Sequence, residues 1–276
     1  MEILPLTPAI GAEVRGVDLA QPLDEAAFRA IERAWYAHGV LLFRGQDLTE
    51  EDQVGFAARF GELGQVINKH GGVALTRHPS VMLVSNIRQD GKPIGALPDG
   101  EMLFHSDQCY VERPCMATFL YAIEVPGAGG NTLLANTTLA WETLPAEIKA
   151  AVEGRKAMNV YDYAGAPTQR SEALAADAPR FAHPVVRTHP ATGRRALFVN
   201  RLMTQYIEGV PRAESDRLLS AIFVHQEQRR FVYEHVWRPG DLVLWDNRCT
   251  LHARTDFSAA ERRLLRRCIV LGERPF

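Results

Sequence analysis

The chain has 276 residues, with 33 acidic and 31 basic side chains and a formal net charge of −2 at pH 7. Hydrophobic residues make up 46% and charged residues 23%, which is typical of a globular protein that can bury a core of its own. The balanced charge excludes a global electrostatic attraction to nucleic acid or to an anionic membrane surface.

The cysteines and the N-terminus indicate where the protein acts. No two of the cysteines form a C-x-x-C pair, so we expect free thiols in a reducing cytoplasm. The first residues lack the basic and apolar regions of a signal peptide, and no run of about 18 apolar residues occurs that could span a membrane. We therefore expect a cytoplasmic protein that acts on a small molecule, with neither a membrane nor a nucleic acid as partner.

Helix signals are few. Asp24 can cap a helix whose Phe28, Ile31 and Trp35 share one face, and Gly39 can end it. Three more helices are predicted: one from the Thr49/Asp52 capping box to Gly61, one framed by Pro145 and Gly154, and one at 213–226.

Strand signals dominate the rest of the chain. Runs of β-branched and apolar residues, separated by Gly- and Pro-containing turns, predict strands at 40–43, 81–85, 116–125, 132–135, 185–188, 196–199, 231–237, 241–245 and 266–271. Many short strands with few helices favour a mainly β fold with flanking helices, as a sandwich or jelly roll. We expect one domain over 1–276, with active-site loops at about 66–104 and 155–182, where Gly, Pro and Ala are frequent.

The most informative motif is His105-Ser106-Asp107. In an extended segment the side chains of His105 and Asp107 leave the same face, so an imidazole and a carboxylate can bind one metal ion. With a third ligand, such a pair leaves positions open for substrate and oxygen, as in non-haem Fe(II) oxygenases. The pair alone also fits two solvated or hydrogen-bonded side chains.

Two further motifs lie near the C-terminus. The segment WDNRCTLH, residues 245–252, follows a predicted strand and ends in His252, a candidate third ligand. In the basic run at 261–267, Arg263 and Arg267 share a face in either a strand or a helix. Two guanidinium groups on one face can bind a dicarboxylate, although a solvated basic run is the simpler interpretation.

Together, these motifs resemble the Fe(II)- and 2-oxoglutarate-dependent dioxygenases of the taurine dioxygenase and phenoxyacetate-herbicide dioxygenase family. The resemblance extends from about residue 2 to 276 and includes RGVDL, LLFRGQ, FGELG, GGNTLLAN, HPVVRTHPATGRRALFVN and the closing WDNR segment. It implies a double-stranded β-helix, a cupin-like jelly-roll core. Homo-oligomerisation is expected only by analogy with the family.

The resemblance also assigns roles to individual residues. His105, Asp107 and His252 are similar to the family's iron ligands. Thr132 and Arg263 match the residues that bind the distal carboxylate of 2-oxoglutarate. Arg267 resembles an arginine near the anionic group of the substrate in the taurine and phenoxyacetate enzymes.

The implied cofactors are Fe(II), 2-oxoglutarate and O2. The expected reaction is hydroxylation of an aliphatic C–H bond in a small anionic or zwitterionic organic acid, with release of succinate and CO2. Arg267 favours a carboxylate or sulfonate, whereas Glu101, four residues before His105, could pair with a substrate amine. The alternatives are ether cleavage of an aryloxyalkanoate by the same chemistry, and a metal-dependent hydrolase or isomerase on a cupin-like barrel, which would not need Arg263.

Overall fold

The computed structural model describes residues 1–65, 76–96, 100–162 and 174–276. The structure is 33% strand and 21% helix, so the prediction of a mainly β fold with flanking helices is confirmed. The helices are α1 (Glu25–His38), α2 (Glu50–Ala58), α3 (Thr137–Glu142), α4 (Ala146–Val152) and α5 (Arg212–Gln226). Over the described ranges, no helix has the length and apolar character that crossing a membrane requires.

The strands follow one another closely along the chain. In chain order they are β1 (Glu2–Pro5), β2 (Ala12–Arg15), β3 (Val40–Phe43), β4 (Met82–Ser85), β5 (Arg88–Gln89), β6 (Lys92–Pro93), β7 (Met102–His105), β8 (Cys115–Glu124), β9 (Thr132–Asn136), β10 (Lys156–Val160), β11 (Arg180–Pro184), β12 (Val186–Thr188), β13 (Arg195–Leu197), β14 (Thr204–Ile207), β15 (Val232–His235), β16 (Leu242–Asp246), β17 (Thr250–Arg254) and β18 (Leu264–Leu271).

The largest sheet has the strand order β1-β2-β3-β16-β8-β18-β4. The long strand β8 lies inside it and pairs antiparallel with both β16 and β18. One face of this sheet is covered by α1 and α2, whose Trp35 and Phe56 pack with Phe119 of β8 in one apolar cluster. The sheet is therefore anchored on its outer side by helices, which leaves its other face for a second sheet.

That second sheet has the order β15-β9-β17-β7. Leu134 of β9 packs in one buried cluster with Leu120 of β8 and with Val243 and Trp245 of β16. The two sheets are thus held together by an apolar layer, and side chains on their inner faces meet between them.

A third group of elements covers one end of the molecule. Strands β10, β11 and β14 form a small sheet, and Ile207 of β14 packs with Ile222 and Phe223 of α5. The segment between β13 and β14 supplies Phe198, which joins a separate cluster with Cys109 just after β7. This group therefore forms one wall beside the His105-Ser106-Asp107 motif.

The predicted helices are confirmed in their positions. Asp24 Oδ1 caps α1 by accepting a 2.7 Å hydrogen bond from the Ala27 N–H, and Gly39 ends the helix with φ 70°. The capping box of α2 is present, but this helix ends at Ala58 instead of Gly61. The short helix α3 was not predicted, because six residues give too little periodicity.

The predicted strands are found with shifts at their ends. At 231–237 the strand covers only Val232–His235, and a 3-10 turn over Arg229–Phe231 replaces its predicted first residue. Strands with many polar residues were missed, including the largely buried β17. Its register is set by pairing with β9 and β7, which no local pattern reveals.

The two predicted loop regions are only partly loops. Positions 66–75, 97–99 and 163–173 lie outside the described residues. The first range also contains β4, which pairs with β18 at a sheet edge, and the second contains β10, which pairs with β11. The strand at 81–85 was predicted from its apolar run, whereas β10 was not predicted, because it forms by pairing with β11 and β14.

Candidate active site

The three predicted metal ligands meet on the inner face of the smaller sheet. His105 at the end of β7 and His252 in β17 are direct cross-strand partners, so their side chains lie on the same face, and their ring centroids are 4.0 Å apart. Asp107 lies in the turn after β7, with its Oδ2 3.9 Å from His252 Nε2. One donor atom from each residue lies within 4.8 Å of the other two, so the structure brings the three side chains together.

Both histidines are set up as neutral ligands. The Nδ1–H of His105 donates a 2.9 Å hydrogen bond to the Leu103 carbonyl, which leaves the Nε2 lone pair for a metal. Burial lowers the pKa of His105, and burial together with the neighbouring His105 lowers the pKa of His252 to about 3. At neutral pH a metal therefore displaces no proton from either ring.

Asp107 is held in its ionised form by a chain of hydrogen bonds. Thr118 Oγ1 donates a 2.7 Å hydrogen bond to Asp107 Oδ2, and Asn247 Nδ2 donates a 2.9 Å bond to Thr118 Oγ1. Burial alone would raise the pKa of Asp107, but Arg267 and the two histidines outweigh it and hold this pKa well below its usual range. Thr118 was not predicted, because its only local signal is one threonine within an apolar strand.

The donor set fits divalent iron. Two imidazole nitrogens and one carboxylate oxygen, all buried or nearly so, match the three-ligand arrangement of non-haem Fe(II) oxygenases.

A second cluster of similar composition, formed by His189, Asp246 and Cys249, does not fit a metal. His189 Nε2 donates to Asp246 Oδ2 at 2.9 Å, and its Nδ1 accepts backbone N–H groups. Asp246 also pairs with Arg248 at 2.6 Å, and burial raises the pKa of the Cys249 thiol. The donors of this cluster are therefore already in use within the protein.

Among the described residues, Arg263 is a buried cation without an anionic partner. Its side chain is among the largest that are fully buried, and its Nη2 donates only a long 3.4 Å bond to the Gly130 carbonyl. Its Nε and Nη1 have no hydrogen-bond partner within the described part of the chain. Burial, with a smaller contribution from Arg254, lowers the pKa of Arg263 to about 9, so the group is still charged at pH 7. An anion entering this pocket would relieve the cost of burying the charge.

Gly130 explains the glycine pair of the GGNT motif. Its φ is +64°, and a Cβ atom at this position would lie 3.4 Å from Arg263 Nε and 3.1 Å from Pro126 Cγ. A side chain here would strain the backbone and crowd the guanidinium. The glycine thus keeps space beside Arg263 open.

Thr132 faces the same side of the sheet as the metal ligands. Leu134 pairs directly with His252, and Thr132, two residues earlier, pairs with Arg254, so these side chains share a face. The Thr132 hydroxyl is buried and accepts a 3.0 Å hydrogen bond from Trp237 Nε1. Thr132 thus lies on the ligand face, on the strand that begins two residues after Gly130.

The two predicted substrate residues differ in their surroundings. Arg267 Nη1 lies 3.5 Å from Asp107 Oδ1, which places it at the metal ligands. Glu101 is exposed just before β7. The structure therefore brings Arg267 into the site and leaves Glu101 at its margin.

An apolar and aromatic wall adjoins Asp107. Cys109, Phe198, Leu202 and Met203 form a buried cluster against which Tyr110 packs. The Tyr110 ring lies 4.6 Å from that of Tyr161 at an interplanar angle of 39°, a tilted aromatic pair. The site thus combines a cation at the metal ligands with an adjacent surface suited to an apolar or aromatic group.

Comparisons with known proteins agree with this geometry. The family model "Taurine catabolism dioxygenase TauD, TfdA family" matches residues 2–269. The alpha-ketoglutarate-dependent 2,4-dichlorophenoxyacetate dioxygenase of Cupriavidus pinatubonensis is 35% identical over 98% of this chain and 97% of its own length. The (S)-phenoxypropionate/alpha-ketoglutarate-dioxygenase of Sphingobium herbicidovorans is 32% identical over 99% and 95%. The crystal structure of AAD-2 in complex with Mn(II) and N-oxalylglycine gives a TM-score of 0.83 at 30% identity and covers 99% of both chains.

These matches span nearly the whole chain and decide between the classes that the sequence left open. They exclude the metal-dependent hydrolase or isomerase, since the family and the relatives are dioxygenases that depend on 2-oxoglutarate (alpha-ketoglutarate). The chain belongs to the taurine dioxygenase family, and it is an oxidoreductase, a dioxygenase that uses Fe(II), 2-oxoglutarate and O2.

Proposed function

We propose that this dioxygenase hydroxylates an aliphatic C–H bond of a small anionic organic acid and releases succinate and CO2. His105, Asp107 and His252 would hold Fe(II), and Arg263 with Thr132 would bind the distal carboxylate of 2-oxoglutarate. The observation that carries the proposal is the pairing of a buried two-histidine, one-carboxylate cluster with the buried, anion-free guanidinium of Arg263.

The bound iron supplies the activation of O2 that couples oxidative decarboxylation of 2-oxoglutarate to oxidation of the substrate. The protein's own contribution is placement. Three fixed ligands would leave other coordination positions of a bound iron open, and Arg263 would hold one end of the cosubstrate through charge-assisted hydrogen bonds. The apolar wall with Tyr110 excludes water and positions the target carbon.

We propose that the substrate is an anion recognised by Arg267. The guanidinium lies at the metal ligands, 3.5 Å from Asp107 Oδ1, so a carboxylate or sulfonate bound there would have its neighbouring carbon close to the reactive centre. A protonated amine would need an acid at the same place, and Glu101 is exposed at the margin. The substrate role of Glu101, and with it a zwitterionic substrate, stays a prediction.

A second candidate function is ether cleavage of an aryloxyalkanoate. The aromatic pair Tyr110 and Tyr161 beside the cationic group favours an aromatic acid, and both relatives described above are named for phenoxyalkanoates. Hydroxylation of the carbon between the ether oxygen and the carboxylate gives a hemiacetal. The hemiacetal proton then moves to the ether oxygen as the C–O bond breaks, which releases a phenol and a 2-oxo acid.

The finer features of the fold belong to the same proposal. We propose that the two facing sheets form the double-stranded β-helix, or jelly roll, of a single domain over 1–276, because an apolar layer joins them and the ligands lie on the inner face of one of them. Action in the cytoplasm is supported by cysteines that are all free. Homo-oligomerisation, the absence of a nucleic acid partner and active-site loops within about 66–104 and 155–182 remain predictions.

The test is succinate formation by the Fe(II)-loaded protein with 2-oxoglutarate in air, across sulfonates, aryloxyacetates, amino acids and short carboxylates. We expect carboxylates to stimulate succinate formation, and aryloxyacetates to do so most strongly. With aryloxyacetates, the amount of phenol released should equal the substrate-stimulated succinate. Arg267→Gln should raise the KM for the acid, whereas exposed Arg262→Gln should not. Stimulation by amino acids alone, lost in Glu101→Gln, would replace the anionic substrate by a zwitterion. No iron-dependent succinate with any compound would refute the proposal.

A further inference from the structure

The indole of Trp237 has a role that the ligand set does not explain. We propose that Trp237 is a positioning residue, which makes Thr132 a hydrogen-bond donor toward the pocket and so gives the site its preference for a 2-oxo acid with a second, distal carboxylate. The inference rests on the proposed function, since it takes Thr132 and Arg263 as the groups that bind this carboxylate.

The hydrogen bond between Trp237 and Thr132 can run in only one direction. Trp237 Nε1 lies 3.0 Å from Thr132 Oγ1, and both side chains are buried. An indole N–H can only donate, whereas a hydroxyl has one proton and two lone pairs. Trp237 therefore occupies a lone pair of Thr132 Oγ1.

The bond from Trp237 also determines how the Thr132 hydroxyl is oriented. Within the described residues, Thr132 Oγ1 has Trp237 as its hydrogen-bond partner and donates to no acceptor. With one lone pair taken, the hydroxyl is turned so that its proton is available to a group entering the pocket. A carboxylate accepts such a proton in a strong charge-assisted bond, whereas a neutral methyl or methylene end of a ligand leaves it unused.

The Trp237 indole is held in place by its packing on His235. The His235 ring packs edge-to-face on Trp237, with centroids 4.4 Å apart at 90°. His235 is fully buried, its Nε2 lies 3.2 Å from Asp241 Oδ2, and its Nδ1 lies 2.9 Å from the Tyr233 hydroxyl. Arg44 Nη1 binds the same Asp241 oxygen at 2.7 Å. A buried polar chain thus fixes the face on which Trp237 packs, so its N–H stays aimed at Thr132.

The pocket would accordingly bind the distal carboxylate by two interactions, the charge of Arg263 and a hydrogen bond from the oriented hydroxyl of Thr132. Arg263 attracts any anion, whereas the Thr132 hydroxyl stabilises an acceptor at one position only. Trp237 therefore contributes geometry and not charge.

The experiment compares two ligands on the Mn(II)-loaded protein. N-oxalylglycine carries the distal carboxylate, and N-methyloxamate keeps the same metal-chelating end without it. Binding is read from water-proton relaxation by the bound Mn(II), which falls as a chelating ligand displaces coordinated water. The variants are Trp237→Phe, Thr132→Val and the double variant, with Trp141→Phe as the matched control, because Trp141 is similarly buried but lies in the cluster around α3 and α5.

We expect Trp237→Phe to weaken the binding of N-oxalylglycine about 5- to 10-fold, as for loss of a positioned hydrogen bond. The affinity for N-methyloxamate should change less than twofold. Thr132→Val should weaken the binding of N-oxalylglycine at least as much, and adding Trp237→Phe to Thr132→Val should cause no further loss of affinity. Equal weakening of both ligands, or additive effects in the double variant, would overturn the proposal. Wild-type protein that binds neither ligand would instead refute the proposed function.

A measurement on the wild type covers the case in which Trp237→Phe fails to fold. In ¹⁵N-labelled, Zn(II)-loaded protein, the Trp237 Nε1–H resonance should move when N-oxalylglycine binds and stay in place with N-methyloxamate. The reason is that only the first ligand draws the Thr132 proton and strengthens the bond that Trp237 donates. A resonance that ignores both ligands contradicts the inference.

Discussion

Thr118 Oγ1 donates a 2.7 Å hydrogen bond to Asp107 Oδ2, and Asn247 Nδ2 donates to the same Thr118 hydroxyl at 2.9 Å. These two hydrogen bonds connect Asp107, in the turn after β7, to the interior strand β8 and to the WDNR segment. Asp107 therefore owes its orientation to residues that do not themselves bind the metal.

Thr118→Val should weaken Fe(II) or Mn(II) binding by about 10- to 100-fold, the range found when a hydrogen-bond partner of a metal ligand is removed. The valine keeps the shape of the side chain and deletes the bond that holds the carboxylate. Metal titration of the purified variant measures the effect. Thr137→Val is the matched control, since Thr137 is equally buried and its hydroxyl has no hydrogen-bond partner within the described residues. A Thr118→Val protein with unchanged metal affinity would show that Asp107 needs no such support.

Arg263→Met should separate stability from cosubstrate binding. Without ligand, removing a buried cation that lacks an anionic partner should raise the free energy of unfolding by about 1–3 kcal/mol. The same change should raise the KM for 2-oxoglutarate by about 100-fold, because a charge-assisted pair is lost. Urea unfolding and initial rates measure the two effects. The neighbouring Arg262→Met removes an exposed guanidinium paired with Glu124 and should change neither. A large loss of stability in Arg263→Met would mean that the guanidinium is already satisfied within the protein.

Acid should destabilise the protein partly through His183. Its Nε2–H donates a 2.8 Å bond to the Val111 carbonyl, and burial lowers its pKa to about 4. Because the folded pKa lies below the unfolded value of about 6.5, the unfolded chain takes up the proton first. Stability is therefore fully present above pH 6.5 and falls as the pH drops toward 4, by about 3 kcal/mol from this residue.

The measurement is urea unfolding of the metal-free protein at pH 7.5 and pH 4.5, for the wild type and His183→Gln. Other buried histidines also contribute to the loss in acid, so the comparison between the two proteins isolates His183. The variant should lose about 2.5 kcal/mol less than the wild type between the two pH values. The same loss in both proteins would show that His183 titrates normally in the folded state.

Tyr110→Leu should reduce activity selectively toward aromatic acids. The leucine keeps an apolar wall but removes the ring that pairs with Tyr161 at 4.6 Å. Aromatic contacts of this kind contribute about 0.5–1.5 kcal/mol beyond their buried area, so kcat/KM for aryloxyacetates should fall about 3- to 10-fold. Rates with short aliphatic acids should stay within twofold. An equal loss for both substrate groups would assign Tyr110 to the scaffold and not to substrate selection.

The three side chains of the candidate metal site could be located in the sequence because each lies in a short motif. His105 and Asp107 are two residues apart, and His252 closes the WDNR segment, so the chemistry is visible without the fold. Their convergence then follows from one register, the direct pairing of His252 with His105.

The supporting residues could not be predicted in this way. Thr118 is a single threonine inside an apolar strand, and Trp237 reaches Thr132 across 105 residues of chain. The contact of Thr118 with Asp107 joins two sheets, and that of Trp237 with Thr132 follows from the pairing of β15 with β9. Neither leaves a local trace in composition or periodicity. The half-polar strand β17 was missed for the same reason.

The most direct test of the account is a reaction under ¹⁸O2 with the acid that most stimulates succinate formation. Each turnover should place one ¹⁸O atom in succinate, and the hydroxylated carbon of the substrate should receive the other. If an aryloxyacetate is cleaved, the phenol should keep its original ether oxygen and carry no label. Succinate without ¹⁸O, or labelled succinate that no organic acid stimulates, would contradict the proposal that this site couples decarboxylation of 2-oxoglutarate to hydroxylation of a small anionic acid.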